Sequence, residues 1–133
     1  MKIKSLEIYS ACLVILDQIS KWFFVNFHPE LVHKNYGSAF SMPINQLFVI
    51  GLSFAVIGMC FYLVKQHKFK HEFFVVCMLS GTVGNLIDRM VFGYVIDFIN
   101  IGFWPVFNLA DVYLSLAILY LFSTYFKKDE LNL

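Results

Sequence analysis

Apolar residues in this chain come in long blocks separated by short polar stretches, and the block lengths point to helices that cross a bilayer. A helix needs roughly 20 mostly apolar residues to span about 30 Å of hydrocarbon. The cleanest block, Leu47 to Val64 (LFVIGLSFAVIGMCFYLV), carries no charge, and at about 1.5 Å per residue it reaches roughly 27 Å. A second block, Phe73 to Ile87, continues through Asp88 and Arg89 to Phe92, and a third runs from Val106 to Phe126 with Asp111 near its start. The first block, Leu6 to Phe27, is interrupted by Glu7, Asp17, Gln18 and Lys21. The expectation is an all-α membrane protein with four transmembrane helices, over 6–27, 46–64, 72–92 and 106–126, in a single domain covering 1–133.

Composition agrees. Of 133 residues, 59% are hydrophobic and 14% charged, with a mean hydropathy of +0.71. Soluble domains run at about 45–50% apolar and about 25% charged, and a chain this small has too much surface to hide the excess in one core. A net charge of +1 gives no electrostatic case for nucleic acid. Lys2, Lys4, Lys65, Lys68, Lys70, Lys127 and Lys128 all fall on one side of the four spans, and lysines concentrate in short cytoplasmic loops. Both termini are therefore expected in the cytoplasm, with Asn26 to Asn45 and Gly93 to Pro105 outside. Reading the first block as a cleavable signal peptide conflicts with Glu7 and Asp17, which do not belong in a signal's apolar core. Cys12, Cys60 and Cys77 lie inside spans and read as small apolar filler rather than a disulfide framework.

A charge at membrane depth is costly and is a functional hypothesis by default. Asp17, Lys21, Asp88, Arg89, Asp97 and Asp111 all fall toward the outer face of the predicted bundle, with Asn85 and Asn108 beside them. Asp17 and Lys21 have the acid-first spacing of a helical ion pair. Asp88 and Arg89 are sequence neighbours and diverge on a helix, so Arg89 is expected to reach another element while holding Asp88 ionised. Asp97 and Asp111 have no basic neighbour in sequence and stand among apolar residues. Desolvation raises a carboxyl pKa, and two such groups in one site share a proton, which is what a carboxylate pair needs to activate water against an amide. The residues alone leave a second reading open, in which Asp97 caps a turn and Asp111 caps the last helix.

Competing chemistries find little support. No G-x-S-x-G or H-E-x-x-H motif occurs. His67 and His71 lie in a lysine-rich loop, and His28 and His33 lack thiolate neighbours, so no metal or cofactor is expected. A proton-coupled carrier would also use a membrane carboxylate, but needs a polar route through the inner half of the spans. A non-enzymatic scaffold held by polar packing leaves Asp97 without a role.

Five segments in order, Asp17-Gln18-Ile19-Ser20-Lys21, Asn35-Tyr36-Gly37-Ser38-Ala39-Phe40, Gly84-Asn85-Leu86-Ile87-Asp88-Arg89, Val95-Ile96-Asp97-Phe98 and Phe107-Asn108-Leu109-Ala110-Asp111, resemble the lipoprotein signal peptidase (signal peptidase II) family. The resemblance covers Ala11 to Phe126. It implies an aspartyl endopeptidase of the bacterial inner membrane that cuts prolipoproteins before a diacylglyceryl-modified cysteine and is blocked by globomycin; a monomer is expected. It also implies a small β cradle and a short helix at the outer surface. Carried over by motif, the catalytic pair is Asp97 and Asp111, while Asp17, Lys21, Asn35, Gly37, Asn85, Asp88, Arg89 and Asn108 line or brace the site. Thr82 departs from the alanine that many members carry. The connection from Phe98 to Phe107 is short and must double back, for which Gly102 and Pro105 are suited.

Overall fold

The computed structural model describes residues 3–39, 42–43, 45–66 and 71–130. Lys2, Phe40, His67, Lys68 and Lys70 lie outside the described residues, as do the side chains of Ser38, Ala39, Lys127, Lys128, Asp129 and Glu130. Four long helices carry the chain: α1 (Ile3–Phe27), α2 (Gln46–Lys65), α3 (Glu72–Phe92) and α4 (Leu109–Glu130). All four contain segments long and apolar enough to cross a membrane. Three are largely exposed to their surroundings, whereas 67% of the α3 span is buried. α3 is thus the post around which α1, α2 and α4 stand. Leu47, Phe48, Leu119 and Phe122 point outward, the pattern of a multi-pass membrane protein whose greasy surface meets lipid.

Local chemistry sets the helix ends. The Asn45 side chain accepts the Leu47 N–H at 2.9 Å and starts α2, a standard cap for an orphan donor. α3 stops at Gly93, whose φ of +77° suits glycine; its N–H returns to the Arg89 carbonyl. α4 begins at Leu109, three residues beyond Val106, because Asn108 takes the capping position. α3 and α4 approach closely: a Cβ added to Gly81 would fall 2.5 Å from the Ala110 carbonyl oxygen, so a small residue is required there. Buried apolar side chains, among them Leu6, Phe74, Val75, Leu79, Tyr113 and Ala117, pack into one core between the helices.

The connections at the opposite end are where short strands form. Between α1 and α2 come a single 3₁₀ turn (Pro29–Leu31), β1 (His33–Asn35), β2 (Ser38–Ala39) and β3 (Met42–Pro43); β4 (Val95–Asp97) follows α3. β1 and β4 pair antiparallel with His33 opposite Asp97, and β2 pairs with β3. The segment after β4 does double back. Phe98 and Ile99 both donate to the Phe107 carbonyl, at 3.0 and 2.8 Å, and Phe107 donates to Ile99. Gly102, at φ +87°, turns the tip, its N–H on Asn100 Oδ1 at 2.8 Å. Phe98 stacks on Phe24 of α1, with ring centroids 4.2 Å apart. This hairpin brings the chain from Asp97 back to the head of α4.

Candidate active site

Near the strand end of the bundle, Lys21 of α1 stands 1% exposed between two fully buried carboxylates. Its ammonium lies 2.8 Å from Asp17 and 2.8 Å from Asp88, and it donates to Asn85 Oδ1 at 3.3 Å. A lysine has three donors, and all three are spent. Burying such charges is affordable only if the remaining lone pairs are also satisfied, and here they are. Asp17 Oδ1 accepts the Ala110 N–H at 2.9 Å, one of the orphan donors at the start of α4. Asp88 accepts the Ile96 N–H at 3.0 Å and Gln18 Nε2 at 3.0 Å. Gln18 also reaches the Gly84 carbonyl. The cluster therefore ties α1, α3, β4 and α4 together at one level.

Asp97 and Asp111 stand beside this brace and are joined through one residue. Asn108 donates its side-chain amide to Asp97 Oδ1 at 2.7 Å and its backbone N–H to Asp111 Oδ2 at 3.2 Å. Its Oδ1 accepts the Asp111 N–H at 3.0 Å, so Asn108 and Asp111 form a reciprocal capping box at the head of α4. Asn85 donates to Asp111 Oδ1 at 2.8 Å and accepts from Asn108 at 3.0 Å. From β1, Asn35 donates to Asp97 Oδ2 at 3.0 Å. Gly37, at φ +90°, lets its N–H fold back on Asn35 Oδ1 at 3.0 Å, which leaves the Asn35 NH₂ facing Asp97.

The two carboxylates differ from the braced pair in having amides rather than an ammonium against them. Burial pushes the Asp97 carboxyl up to about 6; the Asn35 hydrogen bond opposes this, the Asp111 charge adds to it, and the Asn108 bond and the Lys21 charge oppose it. Asp17 and Asp88 are offset by Lys21 and by Arg89, whose guanidinium is within electrostatic reach of Asp111, Asp88 and Asp97. With those four charges balanced, a single proton held between Asp97 and Asp111 would leave the site with one negative charge. Such a pair can take a proton from water with one member while the other gives one up.

All ten residues expected from sequence fall in this network. Two expectations need correction. Arg89 was expected to bond to another element, but its described hydrogen bond goes to the Asn85 carbonyl one turn back, at 3.3 Å. Nor does Arg89 make the ion pair with Asp88: Lys21, entering from α1, does so at 2.8 Å, and Arg89 stays only within electrostatic reach. The alternative in which Asp111 is a helix cap is also correct, since its carboxylate closes the capping box, but Asp97 sits in a strand and holds two side-chain amides rather than a turn. Sequence reading missed Gln18 and Gly84. A glutamine inside an apolar helix was the available signal for the first. The second shows only in three dimensions, because a Cβ at Gly84 would lie 2.7 Å from Asp17 Oδ2.

Comparison with known proteins follows the same lines. The family model described as signal peptidase (SPase) II matches residues 9–127. A lipoprotein signal peptidase of Streptococcus agalactiae serotype Ia is 33% identical over 94% of this chain and 94% of its own length. One from Streptococcus pyogenes serotype M1 is 32% identical over 89% and 90%. Two solved structures of bacterial membrane enzymes, obtained by the in meso method at 2.3 and 1.9 Å resolution, superpose with TM-scores of 0.79 and 0.76 at 23% identity. The superpositions cover 97% and 94% of this chain, and 92% and 94% of theirs.

Proposed function

We propose that this chain, which belongs to the signal peptidase II family, cuts its substrate with the paired carboxylates of Asp97 and Asp111. Membership makes the protein a membrane peptidase that removes the signal peptide from lipoprotein precursors. The assignment of the catalytic pair rests on one observation above the rest: Asn108 donates to both carboxylates. The ionised member takes a proton from water, whose oxygen bonds to the scissile carbonyl carbon, while the protonated member gives its proton to the carbonyl oxygen. In the second half the first member returns its proton to the amide nitrogen, and the other removes one from the gem-diol. The C–N bond breaks, a carboxyl and a free amine leave, and the pair regains its starting state. Asn85, Asn108 and Asn35 hold the carboxylates with Gly37 shaping the last of them; Asp17, Lys21 and Asp88 brace the helices beneath; Arg89 lends a positive field.

The finer setting belongs to the same reading. Both termini lie in the cytoplasm of a bacterium, the site opens at the outer edge of the inner membrane, and the enzyme works as a monomer without a metal. Lysine placement supports that orientation. The substrate is a precursor whose cysteine carries diacylglycerol, each buried methylene of which contributes roughly 0.8 kcal/mol to holding it at this depth. Globomycin occupies the same site. The test is incubation of the purified protein with a diacylglyceryl-modified and an unmodified precursor, with and without globomycin. Cleavage of the modified precursor alone, blocked by globomycin, is expected. Equal cleavage of both overturns the substrate assignment, and no effect of globomycin overturns its placement in the site.

A further inference from the structure

Two cavities flank the carboxylate pair, and the chain at Val106 and Phe107 stands between them. One, about 360 Å³, is bounded by Ile101, Phe103, Trp104, Phe107 and Leu116 and ends on Asp111. Its walls are apolar and Phe103 is 87% exposed, so it suits acyl chains or an apolar peptide. The other, about 240 Å³, is lined by His33, Lys34, Asn35, Tyr36, Asp97 and Val106. It is polar, open, and ends on Asp97. Lys34 is the only lysine or arginine in the two connections 26–45 and 93–108. Its ammonium lies 5.1 Å from the centre of the Tyr94 ring, a cation–π contact that steadies it, and Tyr94 in turn leans on Tyr36. Glu30, the acid nearest to it in sequence, is engaged by His28 at 3.3 Å. Among the described residues Lys34 has no ion pair.

On the proposed reading of the reaction, a substrate is apolar on its lipid and signal-peptide side and water-soluble on the other. The polar cavity fits only the second. We infer that His33, Lys34 and Tyr36 form a basic subsite for the residue that follows the modified cysteine, and that the subsite favours an acidic side chain there over a basic one. An exposed charge pair contributes up to about 1 kcal/mol, so the preference is about fivefold in kcat/KM.

The experiment uses the full chain in lipid nanodiscs and two diacylglyceryl-modified precursor peptides that differ only in having Asp or Lys after the cysteine. The expected result is faster cleavage of the Asp peptide by the wild type and of the Lys peptide by Lys34→Glu. Because the readout is a ratio within each protein, a general loss of activity in the variant cancels. Equal rates on the two peptides, or an unchanged ratio in Lys34→Glu, overturns the inference. Failure of the wild type to cut either peptide overturns the reading of the reaction instead.

Discussion

Lys21→Met removes the only ammonium in the buried network while preserving most of the side chain's length. Asp17 and Asp88 then keep their bonds to the Ala110 and Ile96 N–H groups and to Gln18, but each loses a charge partner at 2.8 Å. Breaking a buried ion pair from one side costs about 3–5 kcal/mol. The surviving hydrogen bonds place this case near the lower end, about 3 kcal/mol. SDS titration of the purified protein, followed by circular dichroism, measures the loss. A second variant separates charge from shape: in Lys21→Met/Asp88→Asn one of the two stranded carboxylates is gone, so the double change should be milder than the sum of the singles by about 1–3 kcal/mol. A Lys21→Met protein within about 0.5 kcal/mol of wild type, or strict additivity in the double variant, would refute the view that Lys21 is the electrostatic keystone.

Three further outcomes follow from the geometry. Asn108→Ala removes the amide that holds Asp97 and the cap of α4; it should cost about 1 kcal/mol in stability but about 10²-fold in turnover, and turnover within a factor of two of wild type would refute the positioning role. Gly84→Ala puts a methyl group against Asp17 Oδ2 and should destabilise by about 1–3 kcal/mol, read in the same titration, with no change contradicting the close approach. Activity should fall on the alkaline side with an apparent pKa at or above about 6, because the shared proton is lost as pH rises through the raised Asp97 value. The same sign applies to stability, since a carboxyl raised by burial favours the fold below its ordinary pKa and loses that contribution as pH climbs toward about 6. An activity profile that instead rises steadily from pH 6 to 9 would contradict the proton-sharing pair.

The four helices were legible because the bilayer imposes a length on any apolar block, and Leu47 to Val64 meets it without a charge. The site was legible for the complementary reason. Asp17, Asp88 and Asp111 are too costly within apolar blocks to be casual, antiparallel helices had to carry them to one end, and Asp97 follows α3 at that same end. What sequence could not supply was which cation faces which acid. Arg89 is adjacent to Asp88 in sequence, yet a helix sends the two apart, and Lys21 reaches Asp88 from 67 residues away because α1 packs against α3. Asn108 shows the same limit. Its capping role could be guessed from its place before an apolar run, but its bond to Asp97 depends on the hairpin formed by Ile99 and Phe107.

The central claim, that two carboxylates act as one acid–base unit, is tested most directly by single-turnover cleavage of a diacylglyceryl-modified precursor by Asp97→Asn, Asp111→Asn and the double variant, each first shown to be folded. General acid–base groups contribute about 10²–10⁴-fold, and members of one unit are not additive. The account predicts that each single change loses at least about 10²-fold and that the double change is little worse than either. Retention of near-normal cleavage by either single variant, or a double loss equal to the product of the two, would contradict it.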